Sequence, residues 1–376
     1  MALPRLPLSD PQLRGRHLLA LPDGVEVDEV ETLAASRFAA ARWEPAGDVP
    51  SQRVRRPMTA AFGIRVTPAP AAPVLRLSRH STVTGPYGVT PDDLVALGLP
   101  SSTTQVYDVA CPRERGERPW PGGDRDGLNR AFPDGLPVRE EMRVVQWLVD
   151  AARRLGGSVR IGGRGTILAP DTEGAIDLTV LTDHWVEPGD ALTIVQRAVP
   201  RARLSAAPGT WGGPMAGSGR HSVSGPAGIS EPGGSGLRSS LELHGVDDDE
   251  ARRRLHAEAA AFDEMMMAAA QEAAQTFGIL VDLGVDGLIS VDVSEPDEVP
   301  PLLRSVPWAA GGVVAYRVHW EPVVVDELEI ERPTLEHRVA RRRAAGVLHS
   351  VARAVHEAVG GEIADQADFL VSPDDL

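Results

Sequence analysis

Apolar positions along this 376-residue chain change period from one stretch to the next. Val138, Met142, Val145, Val149 and Ala152 recur at every third or fourth position. That spacing predicts a helix; acids lie in its first turn and Gly156 ends it. A second long helix is predicted over 334–359, where Leu335, Val339, Val347, Val351 and Val355 share a face. Alternating, β-branched runs predict strands at "VLRLSR" (74–79), "TTQVYDVAC" (103–111), "AIDLTVLT" (175–182) and "GVVAYRVHW" (312–320). Further strands are read at "AFGIRV" (61–66), "GTILAPD" (165–171), "RARLS" (201–205), "SLELHG" (240–245), "ILVDLG" (279–284), "GLISVDV" (287–293) and "DFLVSP" (368–373). Helices are read over 28–42, 188–199, 247–278 and, shorter and Pro-interrupted, 297–306.

In order, these elements spell β-α-β-β-α-β twice. The expected fold is α+β, with two ferredoxin-like βαββαβ units. The expected division is an irregular region with a short helix and a strand pair (1–102), a first unit (103–206), a Gly/Pro/Ser-rich linker (207–238), and a second unit with an extra helix and strand (239–376). Internal echoes raise the question of duplication. Tyr107 and Val109 in "VYDVACP" match Tyr316 and Val318 in "AYRVHWEP", and "RRLGG…TILAPD" matches "HEAVGG…FLVSPD". The two offsets nearly agree, and a divergent internal duplication is one reading of them. A different pair, "LSRHSTVTGPYG" (77–88) and "SGRHSVSGPAG" (218–228), fits neither offset and is read as a chance match.

Composition narrows the chemistry. The net charge of −15 argues against nucleic-acid and anionic-membrane partners. All 38 basic residues are Arg, which removes lysine Schiff bases and Gly-Lys-Ser/Thr phosphate loops. The single cysteine, Cys111, excludes an internal disulfide, Cys-rich zinc sites and iron–sulfur clusters. No apolar run marks a signal peptide or approaches the ~18 residues of a membrane helix. A soluble cytoplasmic protein is expected, with no cofactor and no metal.

The 26-residue loop 112–137 is the main candidate site, because loops of that length in compact domains tend to carry function. Trp120, Asp124, Arg125, Asp126, Asn129, Arg130 and Asp134 are its candidate ligand- or partner-binding residues. Its acids have some of the spacing of a Ca²⁺ loop, but no terminal bidentate Glu follows, and loop-stapling Arg–Asp pairs are the blander reading. "GDRDG" (123–127) fits the Gly-x-x-Asp-Gly pattern of dye-decolourising peroxidases, whose halves are ferredoxin-like. The resemblance ends there: the surrounding sequence departs, and no His is placed as a haem ligand. Cys111, beside Arg113 and Arg115, is a candidate nucleophile with His80 as its base; a small buried side chain is the alternative. Arg342, His349, Arg353 and His356 share one face of the last helix, either as an anion site or as a solvated surface. The Met265–Met267 run is read as core. Gly-x-Ser-x-Gly, His-Glu-x-x-His and Gly-x-Gly-x-x-Gly are absent. The leading expectation is a non-catalytic module that binds a protein partner or a small molecule through the seam between units and the 112–137 loop. The alternative is an enzyme of unrecognised class near Cys111, His80 and that loop.

Overall fold

The computed structural model of the chain describes residues 3–44, 72–205, 276–296 and 299–376. Two compact units are present, one formed by 1–203 with 279–376, the other by 204–278. The second lies mostly outside the described residues, so the first is described here. The expected strands at 61–66 and 240–245, the expected helix at 247–278 up to residue 275 with its Met run, and the 218–228 segment fall outside them; Phe277 and Gly278, the expected end of that helix, are strand instead.

The fold is mixed helix and strand, built on two antiparallel-paired sheets. The first sheet takes β1 (His17–Leu21), β2 (Arg42–Trp43), β3 (Val74–Arg76), β4 (Thr82–Gly88), β5 (Gln105–Ala110), β6 (Ser158–Arg160) and β7 (Ile167–Leu168), in the order β2-β3-β4-β5-β1-β6-β7. The second takes β8 (Leu178–Thr182), β9 (Arg203–Leu204), β10 (Phe277–Asp282), β11 (Leu288–Ser294), β12 (Val314–Glu321), β13 (Glu362–Asp365) and β14 (Leu370–Val371). Its order is β14-β13-β8-β12-β11-β10-β9. Adding seven to each strand number of the first order reproduces the second, read from the other end.

Helices follow the same plan. α1 (Val27–Arg37) comes after β1, and α4 (Arg139–Arg154) joins β5 to β6; between them lie α2 (Pro91–Leu97) and the single turn α3 (Leu128–Ala131). α5 (Pro188–Ala198) comes after β8, and α6 (Leu335–Val359) joins β12 to β13. The register repeats too. Tyr107 lies opposite Leu19 and Ser158 opposite Ala20; Tyr316 lies opposite Val180 and Glu362 opposite Leu181. The two Gly-Gly pairs have one physical cause. A Cβ on Gly157 would collide with the Ala20 carbonyl, and a Cβ on Gly361 with the Leu181 carbonyl. Each helix therefore returns to its sheet through a turn too close to the first strand for a side chain.

The first hundred residues are more regular than the sequence pattern suggests. They supply β1 to β4, including a central strand. β5, β6 and β7 share the first sheet with β1, whereas β8 belongs to the second sheet. The short helix expected over 297–306 is replaced, where described, by a 3-10 turn at Leu303–Ser305, because Pro300 and Pro301 cannot donate helical hydrogen bonds.

The main core packs α1 and α4 on the first sheet around Leu19, Leu21, Tyr107, Val109, Trp147 and Leu148. Trp147 is wholly buried and donates its indole N–H to the Leu33 carbonyl at 3.0 Å. Phe369, from the turn between β13 and β14, enters this same core and is fully buried. Arg37 clasps that turn, donating to the Ala367 carbonyl at 3.2 Å and pairing with Asp368 at 3.3 Å. None of the described helices is long and apolar enough to cross a membrane.

Candidate functional site

Two sets of ionisable side chains converge near the C-terminal ends of the fifth strands of the two sheets, one at β5 and one at β12. They are built differently.

At the end of β5, Cys111 lies beside His17 of β1 and Glu141 of α4; one ligand-type atom from each falls within 4.8 Å of the others. Glu141 is fully buried and fully engaged. His17 Nε2 is 3.3 Å from its Oε1, the Glu114 backbone N–H donates to Oε2 at 2.7 Å, and Arg115 pairs with the same oxygen. Burial pushes the Glu141 carboxyl up, but the hydrogen bonds from His17, Arg115 and Glu114, with the Arg115 charge, outweigh it. The net result holds it below the usual carboxylate range. Arg115 also stacks over the Phe132 ring at 4.7 Å.

This trio does not fit a metal. The Gly162 backbone N–H points at His17 Nδ1 at 3.2 Å, so Nδ1 is an acceptor and Nε2 carries the proton that goes to Glu141. A metal on Nε2 would need the proton on Nδ1, facing another N–H. Nor does it fit a nucleophile. Burial, then the Glu141 charge, pushes the Cys111 thiol up to about 12. A reactive thiol needs the opposite shift. His80 is exposed and sits 3.2 Å from Arg79 Nε.

The second set lies where the 112–137 loop and α4 meet the β7–β8 connection, α6 and the β13–β14 turn. The loop is ordered by its own charged residues. Asp124 caps α3, accepting from the Asn129 and Arg130 backbone N–H groups at 2.9 and 3.1 Å. Both of its oxygens are thereby used, so Asp124 offers no ready Ca²⁺ ligand. Asn129 donates to the Gly123 carbonyl at 3.2 Å. Asp126 pairs with the buried Arg153, Arg130 with Glu331 at 2.7 Å, and Asp134 with Arg164. Trp120 is 83% exposed and anchors nothing.

Arg125 is the exception in the loop. It is half-buried, and no carboxylate of the described residues reaches ion-pair distance. Its partners are neutral: the Gly174 carbonyl and the Gln366 side-chain oxygen, the latter at 3.3–3.4 Å. Burial, then the nearby Arg153 cation, makes its charge harder to hold than usual. Arg125 lines a cavity of about 340 Å³ with Gly123, Ile176, Asp177, Trp320, Leu328, Arg341 and Gln366 among its walls. Arg341 is buried and pairs with Asp171. Asp177 accepts the Trp320 backbone N–H at 2.9 Å. Burial raises its pKa, against the opposing pull of that hydrogen bond, His319 and Arg125. Trp320 is held by its indole N–H on the Asp286 carbonyl at 2.7 Å and by the His337 ring at 5.0 Å. Burial, then the Arg341 charge, lowers the pKa of His337.

A larger neighbouring cavity, about 430 Å³, shares Ile176 and Arg341 and is also lined by Arg153, Arg342 and His349. Here the buried or ion-paired arginines are Arg153, matched by Asp150 and Asp126, Arg341, matched by Asp171, and Arg342, matched by Glu173, while Arg154 at the rim is exposed. Of the helix face singled out in the sequence, Arg342 and His349 reach this cavity, while His356 turns to the Gly361 carbonyl at 3.2 Å.

The loop brought Arg125 into view from sequence. Asp177, Trp320, Arg341 and Gln366 were not singled out there, and no local pattern marks them: Arg125 and Gln366 are 241 positions apart. No protein-family model, curated protein or solved structure matches the chain.

Proposed function

We propose that this protein binds a small charged molecule in the cavity at the loop seam, with Arg125 meeting the ligand's anionic group. The observation that carries this reading is a half-buried guanidinium that faces a cavity with only neutral partners. A buried cation without a counter-ion is costly, and the cost is removed when a carboxylate or phosphate occupies its fork. The neighbouring larger cavity lacks that feature because its buried arginines, Arg153 and Arg341, are paired and its unpaired Arg154 is exposed to water. An enzyme built on Cys111 is disfavoured by its raised thiol pKa. The single unpaired cysteine and acidic surface fit a cytoplasmic binding protein.

In this reading the two sheets are ferredoxin-like βαββαβ units descended from one ancestral unit. The common strand order and the repeated Tyr and Gly-Gly registers support the duplication. The seam between units is then the ligand site, as seams between domains often are.

Native mass spectrometry of protein purified gently from its own host tests the proposal. A co-purified small molecule, absent from the Arg125→Gln variant, is the expected result. A bare wild-type chain that also shows no thermal shift with any of a panel of small carboxylates and phosphates would overturn it.

A further inference from the structure

The cavity holds a second unmet charge, and the pair restricts the ligand more than Arg125 alone does. Arg125 and Asp177 line the same space, and each is near enough to shift the other's titration. They nevertheless form no ion pair. Asp177 spends one oxygen on the Trp320 backbone N–H; no ion pair or further hydrogen bond of Asp177 occurs among the described residues. Two opposite charges, both half-buried and lining one cavity, thus have no ion-pair contact with each other, although His319 and Glu321 also act on the charge of Asp177. A pair left in that state costs more than a pair in contact, because the Coulomb attraction that would offset desolvation is reduced by separation. Arg125 is prevented from closing the gap by its tethers to the Gly174 carbonyl and Gln366. Asp177 is prevented by its place beside β8 and its bond to the β12 backbone.

Ile176, Leu328 and Trp320 supply apolar wall to the same cavity, and the exposed Glu329 lines it as a second carboxylate. Trp320 is fixed in orientation by Asp286 and His337, so it presents a preformed surface rather than an adaptable one. Arg341 adds a second cation; its contact with Asp171 leaves donors of its guanidinium fork unassigned. The cavity, about 340 Å³, is at the small end of ligand sites.

Building on the seam reading, we propose that the ligand is an amino-acid-like zwitterion with an apolar side chain: its carboxylate on Arg125, its ammonium on Asp177, its side chain on Trp320, Ile176 and Leu328. An inorganic anion would satisfy Arg125 and leave Asp177 unpaired. A free amine would do the reverse. A molecule carrying both charges completes both at once, and so removes two burial costs for one ordering cost.

Isothermal titration of the full chain tests this, after a thermal-shift screen of the common L-amino acids has picked the best apolar one. With L-leucine as the example, the controls are 4-methylpentanoate, which lacks the amine, and isopentylamine, which lacks the carboxylate. The zwitterion should bind about tenfold or more tighter than either, because a polar site rejects an analogue that leaves its buried group unpaired. Asp177→Asn, nearly isosteric and able to keep the Trp320 hydrogen bond, should bring the zwitterion down to the level of the carboxylate control. Arg125→Gln should abolish binding of both. If 4-methylpentanoate binds wild type as tightly as the zwitterion, and through Arg125, the zwitterion inference falls while the seam reading stands. If no amino acid binds, the zwitterion inference falls; if no carboxylate and no phosphate binds either, the seam reading falls with it.

Discussion

The corner at the end of β5 and the corner at the end of β12 occupy matching places in two sheets of one strand order. Counting four residues on from the matched tyrosines, Cys111 and Trp320 correspond. In the first corner, a buried carboxylate is met by an arginine, a backbone N–H and an imidazole whose tautomer is fixed by Gly162. In the second, a half-buried carboxylate and a half-buried arginine line one cavity and form no ion pair. One framework thus carries charges in two ways. Closed, they specify packing; open, they store an unmet interaction that a ligand can complete. Function is expected where the rule of paired buried charge is broken, not where it is kept.

The sharpest way to break the comparison is chemical reactivity. If the closed corner is structural, Cys111 must be inert. With its thiol at about 12, its thiolate fraction at mildly alkaline pH is about three orders of magnitude below that of a free cysteine. Native protein should therefore alkylate with iodoacetamide far more slowly than denatured protein. Mass spectrometry over a time course checks this; labelling at the rate of a free thiol would make the first corner a reactive site and remove the contrast.

Stability supplies the next test. Glu141→Ala leaves the Glu114 N–H, Arg115 and His17 without their acceptor, and should cost about 3–5 kcal/mol, the range for breaking a buried ion pair. Asp177→Asn removes an unmet charge and keeps the acceptor for the Trp320 N–H. It should leave stability unchanged or raise it by about 1 kcal/mol. Urea unfolding of both variants decides. Equal losses would mean that Asp177 is paired as tightly as Glu141 in solution.

Acid and base should also act oppositely on the two corners. Glu141 has a depressed pKa in the fold, so its contribution is full above the unfolded carboxylate pKa and is lost as pH falls through the folded value. Asp177 has a raised pKa, so the folded state holds its proton more tightly; stability falls as pH rises from the unfolded pKa through the folded one, then levels. Melting temperature against pH should lose its acid limb in Glu141→Gln. In Asp177→Asn it should gain stability only on the neutral side. Curves that keep the wild-type shape in both variants would show that neither carboxylate is perturbed.

What could be read from the chain divides along similar lines. α4, α6 and β12 were visible because each has one buried and one wetter face, which writes a period into the sequence; β5 and β8 are buried almost throughout and were legible from their β-branched residues interleaved with polar ones. β1 was not. All five of its residues are buried, since α1 and α4 cover one face and Leu6, Leu13 and α2 help cover the other. A strand covered on both faces has no alternation to read. The Tyr and Gly-Gly echoes, by contrast, fall at matching registers of the two sheets. β4 was hidden by Gly85 and Pro86 in its middle. The candidate site was half legible for another reason: loop length pointed to Arg125, but its neighbours come from the β7–β8 connection, β12, α6 and the β13–β14 turn and meet only in three dimensions.

The smallest expected effect concerns the residue that sequence alone makes most conspicuous in the loop. Trp120 looks like an anchor or a ligand-stacking aromatic, yet it is 83% exposed and is not among the walls of the seam cavities. An exposed side chain without such contacts contributes within about 0.5 kcal/mol. Trp120→Ser should leave both the urea midpoint and the affinity for the seam ligand unchanged, while Arg125→Gln, five positions along the same loop, abolishes binding. If Trp120→Ser weakens binding as much as Arg125→Gln does, the loop itself closes over the ligand. The contrast between a closed corner and an open one would then give way to one between an empty and an occupied site.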